Sequence, residues 1–221
     1  MSDSGYTLWS GFLAHRYSPH SMKTQAILFD LGGVLIKLGG VVQLGQFIGV
    51  ADEAEIWRRW LMSNWVRRYE RGLCARTEFS HGMVEEHGLE MTPEAFLEAF
   101  RRWPLGFFPG AEALVRSVDP RLIVACLSNT NELHWTEQED ADRVHRLFSL
   151  QFLSHEIGLI KPDREVFDFV ADAINCAPSA ILFLDDNLIN VEGAREAGWE
   201  AEHAVGVQES HTILTRRGFL V

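Results

Sequence analysis

The sequence predicts an α/β fold: a doubly wound parallel sheet interrupted by an all-helical insertion. Three observations predict it. The short apolar runs are continuous rather than alternating, as strands covered on both faces require. Amphipathic helical patterns alternate with the later runs. One long stretch, residues 41–108, breaks this alternation and carries helical patterns alone.

The first strand is expected at 25–29 (QAILF), ending on Asp30 and followed by Gly32 and Gly33. Residues 53–70 then place Trp57, Trp60, Leu61 and Trp65 at near-helical spacing, with a stop near Gly72. Tryptophan stripes of this kind are expected to pack rather than to bind. Thr77 is a candidate cap for a helix bearing Phe79, Met83 and Val84, and Thr92 with Pro93 is a helix start ahead of Phe96, Leu97 and Phe100. Later strands are expected at 122–127 (LIVACL), 150–153 (LQFL), 181–184 (ILFL) and 201–205 (AEHAV). Between them, 163–174 sets Val166, Phe167, Val170 and Ile174 on one stripe. A helix over 188–197 is ended by Gly198 in a left-handed cap. The expected division is a core domain over 22–40 and 109–221, and a helical domain over 41–108. Residues 1–21 read as an extension without a role in the core, and they lack the pattern of a signal peptide.

Bulk composition narrows the function. The 221 residues are 47% hydrophobic, enough for one sizeable core with a smaller inserted domain. The formal charge of −11 argues against nucleic acid and anionic membrane as partners, since both need clustered cations. No apolar run has the length of a membrane span. The three cysteines, Cys74, Cys126 and Cys176, match no zinc or CxxC spacing and fit a reducing cytoplasm. The Trp-rich helices leave monomer and homodimer both open.

Ligands of open parallel sheets sit beyond the carboxyl ends of the strands. The first strand delivers Asp30 there, the second Ser128, Asn129 and Thr130, the loop after the third Lys161, and the fourth Asp185 and Asp186. Taken singly, each is a turn or a helix cap. Together, three carboxylates against one lysine are unfavourable unless a cation compensates or a pKa rises. With a phosphate added, all-oxygen ligands point to Mg²⁺ and a phosphoryl substrate.

In this order, "FDLGGVL", "LSNT", "GLIKPD" and "LFLDDNLINVEGAREAGW" resemble the four motifs of the haloacid dehalogenase-like hydrolases. Within that superfamily they are similar to the small sugar-phosphate phosphatases that include an α-D-glucose-1-phosphate phosphatase. The resemblance covers roughly residues 25–206 and implies a Rossmann-like core with a mobile helical cap. It implies Asp30 as the nucleophile that forms an aspartyl-phosphate. Ser128 and Asn129 would hold the phosphoryl group, and Lys161 would neutralise it. Mg²⁺ would be held by Asp30, the Gly32 carbonyl and Asp186, with Asp185 as a further or outer partner and Asn190 supporting the loop. The implied substrate is a small phosphorylated metabolite, a sugar phosphate.

Many phosphatases of this superfamily carry a second aspartate, the general acid, where this chain has Gly32. Such an acid contributes ~10²–10⁴-fold, or about 3–5 kcal/mol of barrier. A good leaving group, or a side chain such as His134, Glu70 or Arg71, would have to compensate. Two other readings stay open: a slow or inactive binding module, and a metal-independent 2-haloacid dehalogenase. Dehalogenases usually carry a tyrosine at the position of Gly32, and the Asp185–Asp186 pair gains nothing in a metal-free site.

Overall fold

The computed structural model describes residues 24–137 and 141–221, so the expected extension over 1–21 lies outside the described residues. The chain runs β1 (Ala26–Phe29), β2 (Ile36–Leu38), then five helices: α1 (Gly40–Ile48), α2 (Glu53–Met62), α3 (Asn64–Glu70), α4 (Arg76–His87) and α5 (Pro93–Arg101). It returns through β3 (Pro104–Phe107), α6 (Ala111–Arg116), β4 (Ile123–Ser128), α7 (Glu132–Glu137), α8 (Ala141–Leu147), β5 (Leu150–Leu153) and α9 (Ser154–Ile157). α10 (Arg164–Ala173), β6 (Ile181–Asp185), α11 (Leu188–Glu196), β7 (Glu200–His203) and α12 (Gly206–Arg217) complete it.

Five strands form one sheet in the order β5-β4-β1-β6-β7, all pairs parallel. The strand order reverses beside β1, so the carboxyl end of β1 lies at the switch point where ligands bind. Alternate residues of each strand serve opposite faces. Ile27, Phe29, Cys126, Leu182 and Leu184 join one apolar cluster with Leu114 and Leu214 of α6 and α12. Ala26, Leu28, Ala125, Leu127 and Phe183 join a second with Val166, Phe167 and Val170 of α10. Both faces are thus buried, which is why the strands read as unbroken apolar runs. The predicted left-handed residue after α11 is Gly198, at φ 90°.

The inserted helices form the cap and enclose a cluster of their own, built on Trp60, Tyr69, Phe79, Phe96 and Phe100. Three details differ from expectation. Residues 53–70 are two helices, because Ser63 takes an extended backbone and its hydroxyl accepts the Val66 N–H at 3.4 Å. Its Oγ also donates to Glu86 at 2.9 Å, a tertiary bond that holds the break in place. Thr77 lies inside α4 instead of capping it; the Ala75 N–H at the start of that helix is taken by the Glu78 carboxylate at 3.0 Å. Finally, β2 and β3 pair antiparallel across a bulge and make a short ribbon at the root of the insertion. Thr92 caps α5 as expected, accepting from Ala95 N at 3.2 Å.

Candidate active site

β1 hands its backbone directly to the site. The Asp30 N–H still pairs with the Leu184 carbonyl at 2.8 Å, so the residue is fixed by the sheet. Its Oδ1 accepts from the Leu31 N–H at 2.7 Å and lies 2.9 Å from Lys161 Nζ. Oδ2 has no partner among the described residues. Burial pushes this carboxyl up to about 7, against the pull of Lys161 and with a further push from Asp185.

Lys161 is fully buried, an uncommon state for a lysine without paired charges. Asp185 supplies the second charge at 2.6 Å from Nζ. Burial works against the ammonium, but Asp185 and Asp30 outweigh it and hold it protonated. Its backbone is pinned by the side chain of Asn129: Nδ2 donates to the Lys161 carbonyl at 3.0 Å, and the Lys161 N–H donates to Oδ1 at 2.9 Å. Asn129, expected on the phosphoryl group, uses its amide oxygen and one amide hydrogen to position the lysine loop, and it also lines the cavity. Ser128, buried at the end of β4, has no side-chain hydrogen bond among the described residues and lines the cavity.

The two aspartates after β6 differ completely. Asp185 accepts at Oδ1 from the Asn187 N–H (2.8 Å) and from Asn190 Nδ2 (3.1 Å), and at Oδ2 from Lys161 and again Asn190 (3.2 Å). Asn190 thus supports the loop as the sequence implies. Asp186 carries none of these bonds. Burial, Asp30 and Asp185 together push its carboxyl up to about 8. One carboxylate oxygen from each of Asp30, Asp185 and Asp186 falls within 4.8 Å of the others. Gly33 makes that approach possible: it sits at φ 71°, and a Cβ there would stand 1.9 Å from Asp186 Oδ2. The crowded carboxyls of Asp30 and Asp186, both pushed up by burial, stand beside Asp185 and one lysine, and this oxygen set suits a hard divalent cation.

Asp30, Lys161 and Asp186, with Ser128, line a cavity of about 120 Å³ roofed by the cap, and Asp185 lies buried behind them. Trp57, Trp60, Leu61, Phe100 and Trp103 form its apolar walls, and Glu70 is the ionisable group that the cap adds. Sequence reasoning assigned the tryptophans to packing; Trp60 does both, being 5% exposed in the cap cluster and part of the wall. The aromatic spacing that marks a packed helix carries no signal for which ring borders a void.

Of the three compensating candidates, two are committed elsewhere. His134 Nε2 donates to the Phe100 carbonyl at 2.8 Å, and Nδ1 accepts from Asn131 at 3.2 Å. Burial lowers its pKa to about 4, so it is a neutral link between α7 and the cap. Arg71 Nε donates to the Gly158 carbonyl at 2.8 Å. Glu70 remains, 6% exposed.

Fold and site together are those of an α/β hydrolase with carboxylates gathered at the strand ends of its parallel sheet. The family profile described as haloacid dehalogenase-like hydrolase matches residues 24–198. The chain belongs to that family and is an enzyme of its hydrolase class. It is 29% identical over 188 residues to a D-ribitol-5-phosphate phosphatase of Bacteroides thetaiotaomicron, covering 79% of this chain and 88% of the relative. A HAD family enzyme of the same organism, solved with magnesium and inorganic phosphate, superposes at TM-score 0.64 and 26% identity. The match covers 86% of this chain and 98% of that one. The L-2-haloacid dehalogenase of Xanthobacter autotrophicus shares the fold at TM-score 0.58 and 19% identity, over 90% of this chain and 84% of that one. Among the described residues, no helix is long and apolar enough to cross a membrane.

Proposed function

We propose that the chain hydrolyses a small phosphate monoester, a sugar phosphate, through an aspartyl-phosphate on Asp30 and with Mg²⁺ as cofactor. The observation that carries this reading is the asymmetry of Asp30. One oxygen is tied to Leu31 and Lys161, and the other is unpaired in a residue that lines the cavity. That free oxygen attacks phosphorus opposite the ester bond. Lys161 holds Asp30 in place and offsets charge on the phosphoryl oxygens, and the Ser128 hydroxyl donates to one of them. Asp30, Asp186 and the Gly32 carbonyl would hold Mg²⁺, whose charge, when bound, polarises the phosphoryl group. Asp185 acts from outside that set by fixing Lys161. Asn129 holds the lysine backbone, and the second hydrogen of its amide donates to the phosphoryl group.

The cap, taken as residues 41–108 on a core of 22–40 and 109–221, closes over the ester and excludes water. The aromatic walls with few polar groups suit a small organic leaving group. The similarity to a D-ribitol-5-phosphate phosphatase and to an enzyme that binds magnesium and inorganic phosphate supports the same chemistry. The net charge of −11 leaves nucleic acid and membrane aside as partners. Three free cysteines fit a reducing cytoplasm. The working form is a monomer or a homodimer.

The test is a panel of phosphate esters assayed with Mg²⁺ and with EDTA, for the wild type and Asp30→Asn. Metal-dependent turnover that vanishes in the variant is expected. Chloride release from a 2-haloacid without metal would replace the reading with dehalogenation. Metal and phosphate binding with no turnover on any ester would replace it with a binding module.

A further inference from the structure

We propose that Glu70 is the general acid and base of this site, delivered from the cap in place of the acid that Gly32 lacks. The inference rests on the phosphatase reading and adds a catalytic residue to it.

Gly32 offers no proton where many phosphatases of the superfamily carry their second aspartate. A Cβ on Gly32 would stand 3.0 Å from Leu38 Cδ1 and 3.6 Å from its Cγ. The position beside the nucleophile is bordered by the apolar Leu38 of β2. Within the cavity, the other titratable groups are occupied. Asp30 and Asp186 belong to the carboxylate cluster, Lys161 is paired twice, and both nitrogens of His134 are bonded. Glu70 is the ionisable side chain left over.

Its position is built. Glu70 is the last residue of α3, and both flanks of that helix end are fastened to the core beside the lysine loop. Arg67 Nη2 meets Asp163 Oδ2 at 2.6 Å, and Arg71 reaches the Gly158 carbonyl. Val66 and Tyr69 anchor the same turn inside the cap cluster. Glu70 therefore enters the cavity roof from a segment held on both sides, close enough to Lys161 and Asp30 to feel both charges. It has no ion-pair partner among the described residues. Burial, opposed by a hydrogen bond from Trp60 and by Lys161, pushes its carboxyl up to about 8, so it carries a proton at neutral pH.

The proton balance closes over both half-reactions. As Asp30 bonds to phosphorus, the ester P–O bond breaks and its electron pair goes to the leaving oxygen, which takes the proton of Glu70. The resulting Glu70 carboxylate then accepts a proton from water as that water attacks the phosphorus of the aspartyl-phosphate. The P–O bond to Asp30 breaks, phosphate leaves, and both carboxyls return to their starting states.

The test compares wild type with Glu70→Gln, both with Mg²⁺, on phenyl phosphate and 4-nitrophenyl phosphate. Phenolate needs protonation to leave well, and 4-nitrophenolate does not. The variant should lose about 10²–10⁴-fold on phenyl phosphate. On the nitrophenyl ester it should give a burst near one equivalent and then turn over slowly, with phosphoenzyme trapped by acid quench. Glu70→Asp keeps the carboxyl and should restore part of the phenyl phosphate rate. Equal losses on both esters, or no burst, would overturn the proposal while leaving the phosphatase reading intact. Unfolding of both variants would assign Glu70 to the fold and overturn it as well. A wild type inert on these two and on every ester of the panel would sink the phosphatase reading itself, and this inference with it.

Discussion

The buried carboxyl of Glu70 makes a stability prediction that is independent of turnover. Its pKa rises from an ordinary 4.5 to about 8, and it is 6% exposed, so solvent screening is slight. Each pKa unit corresponds to ~1.4 kcal/mol. A raised folded-state value means that the folded protein binds the proton more tightly than the unfolded chain. The associated stability is complete below pH 4.5, is lost as pH rises, and is gone above about 8. Over that window the loss has a ceiling of ~5 kcal/mol, and at neutral pH it is ~3 kcal/mol. Glu70→Gln removes the titration and keeps the shape. In urea unfolding with EDTA present, the variant should gain on the wild type steadily from acid to alkaline pH. The groups whose fields reach Glu70, namely Lys161, Asp30 and Arg67, are present in both proteins, so their own titrations cancel to first order. A stability difference that stays flat with pH, or that favours the wild type more as pH rises, would refute the assignment of Glu70 as a buried, protonated group.

Two further outcomes follow from distances at the site. Gly33→Ala forces a side chain onto φ 71° and a Cβ to 1.9 Å from Asp186 Oδ2. It should cost about 1–2 kcal/mol of backbone strain, and isothermal titration should show Mg²⁺ binding weaker by about 10–100-fold. Arg67→Ala removes a half-exposed latch worth at most ~1 kcal/mol. Its thermal midpoint should therefore fall by less than about 4 °C, while KM rises because the closed cap is less populated.

Local pattern alone was enough to locate the strands and the order of the chemistry along them. Strands buried on both faces must be apolar throughout, so "QAILF", "LIVACL" and "ILFL" announced β1, β4 and β6, to within a residue at the ends, without any partner in view. The strand-end residues followed from the same rule, because a parallel sheet presents all its carboxyl ends on one edge. The α10 stripe and the Gly198 stop were equally local, set by helical period and by a positive φ.

Tertiary structure decided what depends on partners far along the chain. The break at Ser63 is held by Glu86, and the three- and four-residue strands of the ribbon exist only because they pair with each other. Asp185 and Asp186 are chemically identical neighbours, yet Asn190, Asn187 and Lys161 saturate the first and leave the second to the cavity. Glu70 ends α3 and Arg71 is the next residue, yet the carboxyl enters the cavity and the guanidinium turns to a carbonyl of the core. Periodicity and propensity report how a residue meets its own helix or strand. A residue's chemical role is set by which distant groups neutralise, hydrogen-bond or desolvate it, and only the folded chain brings those groups together.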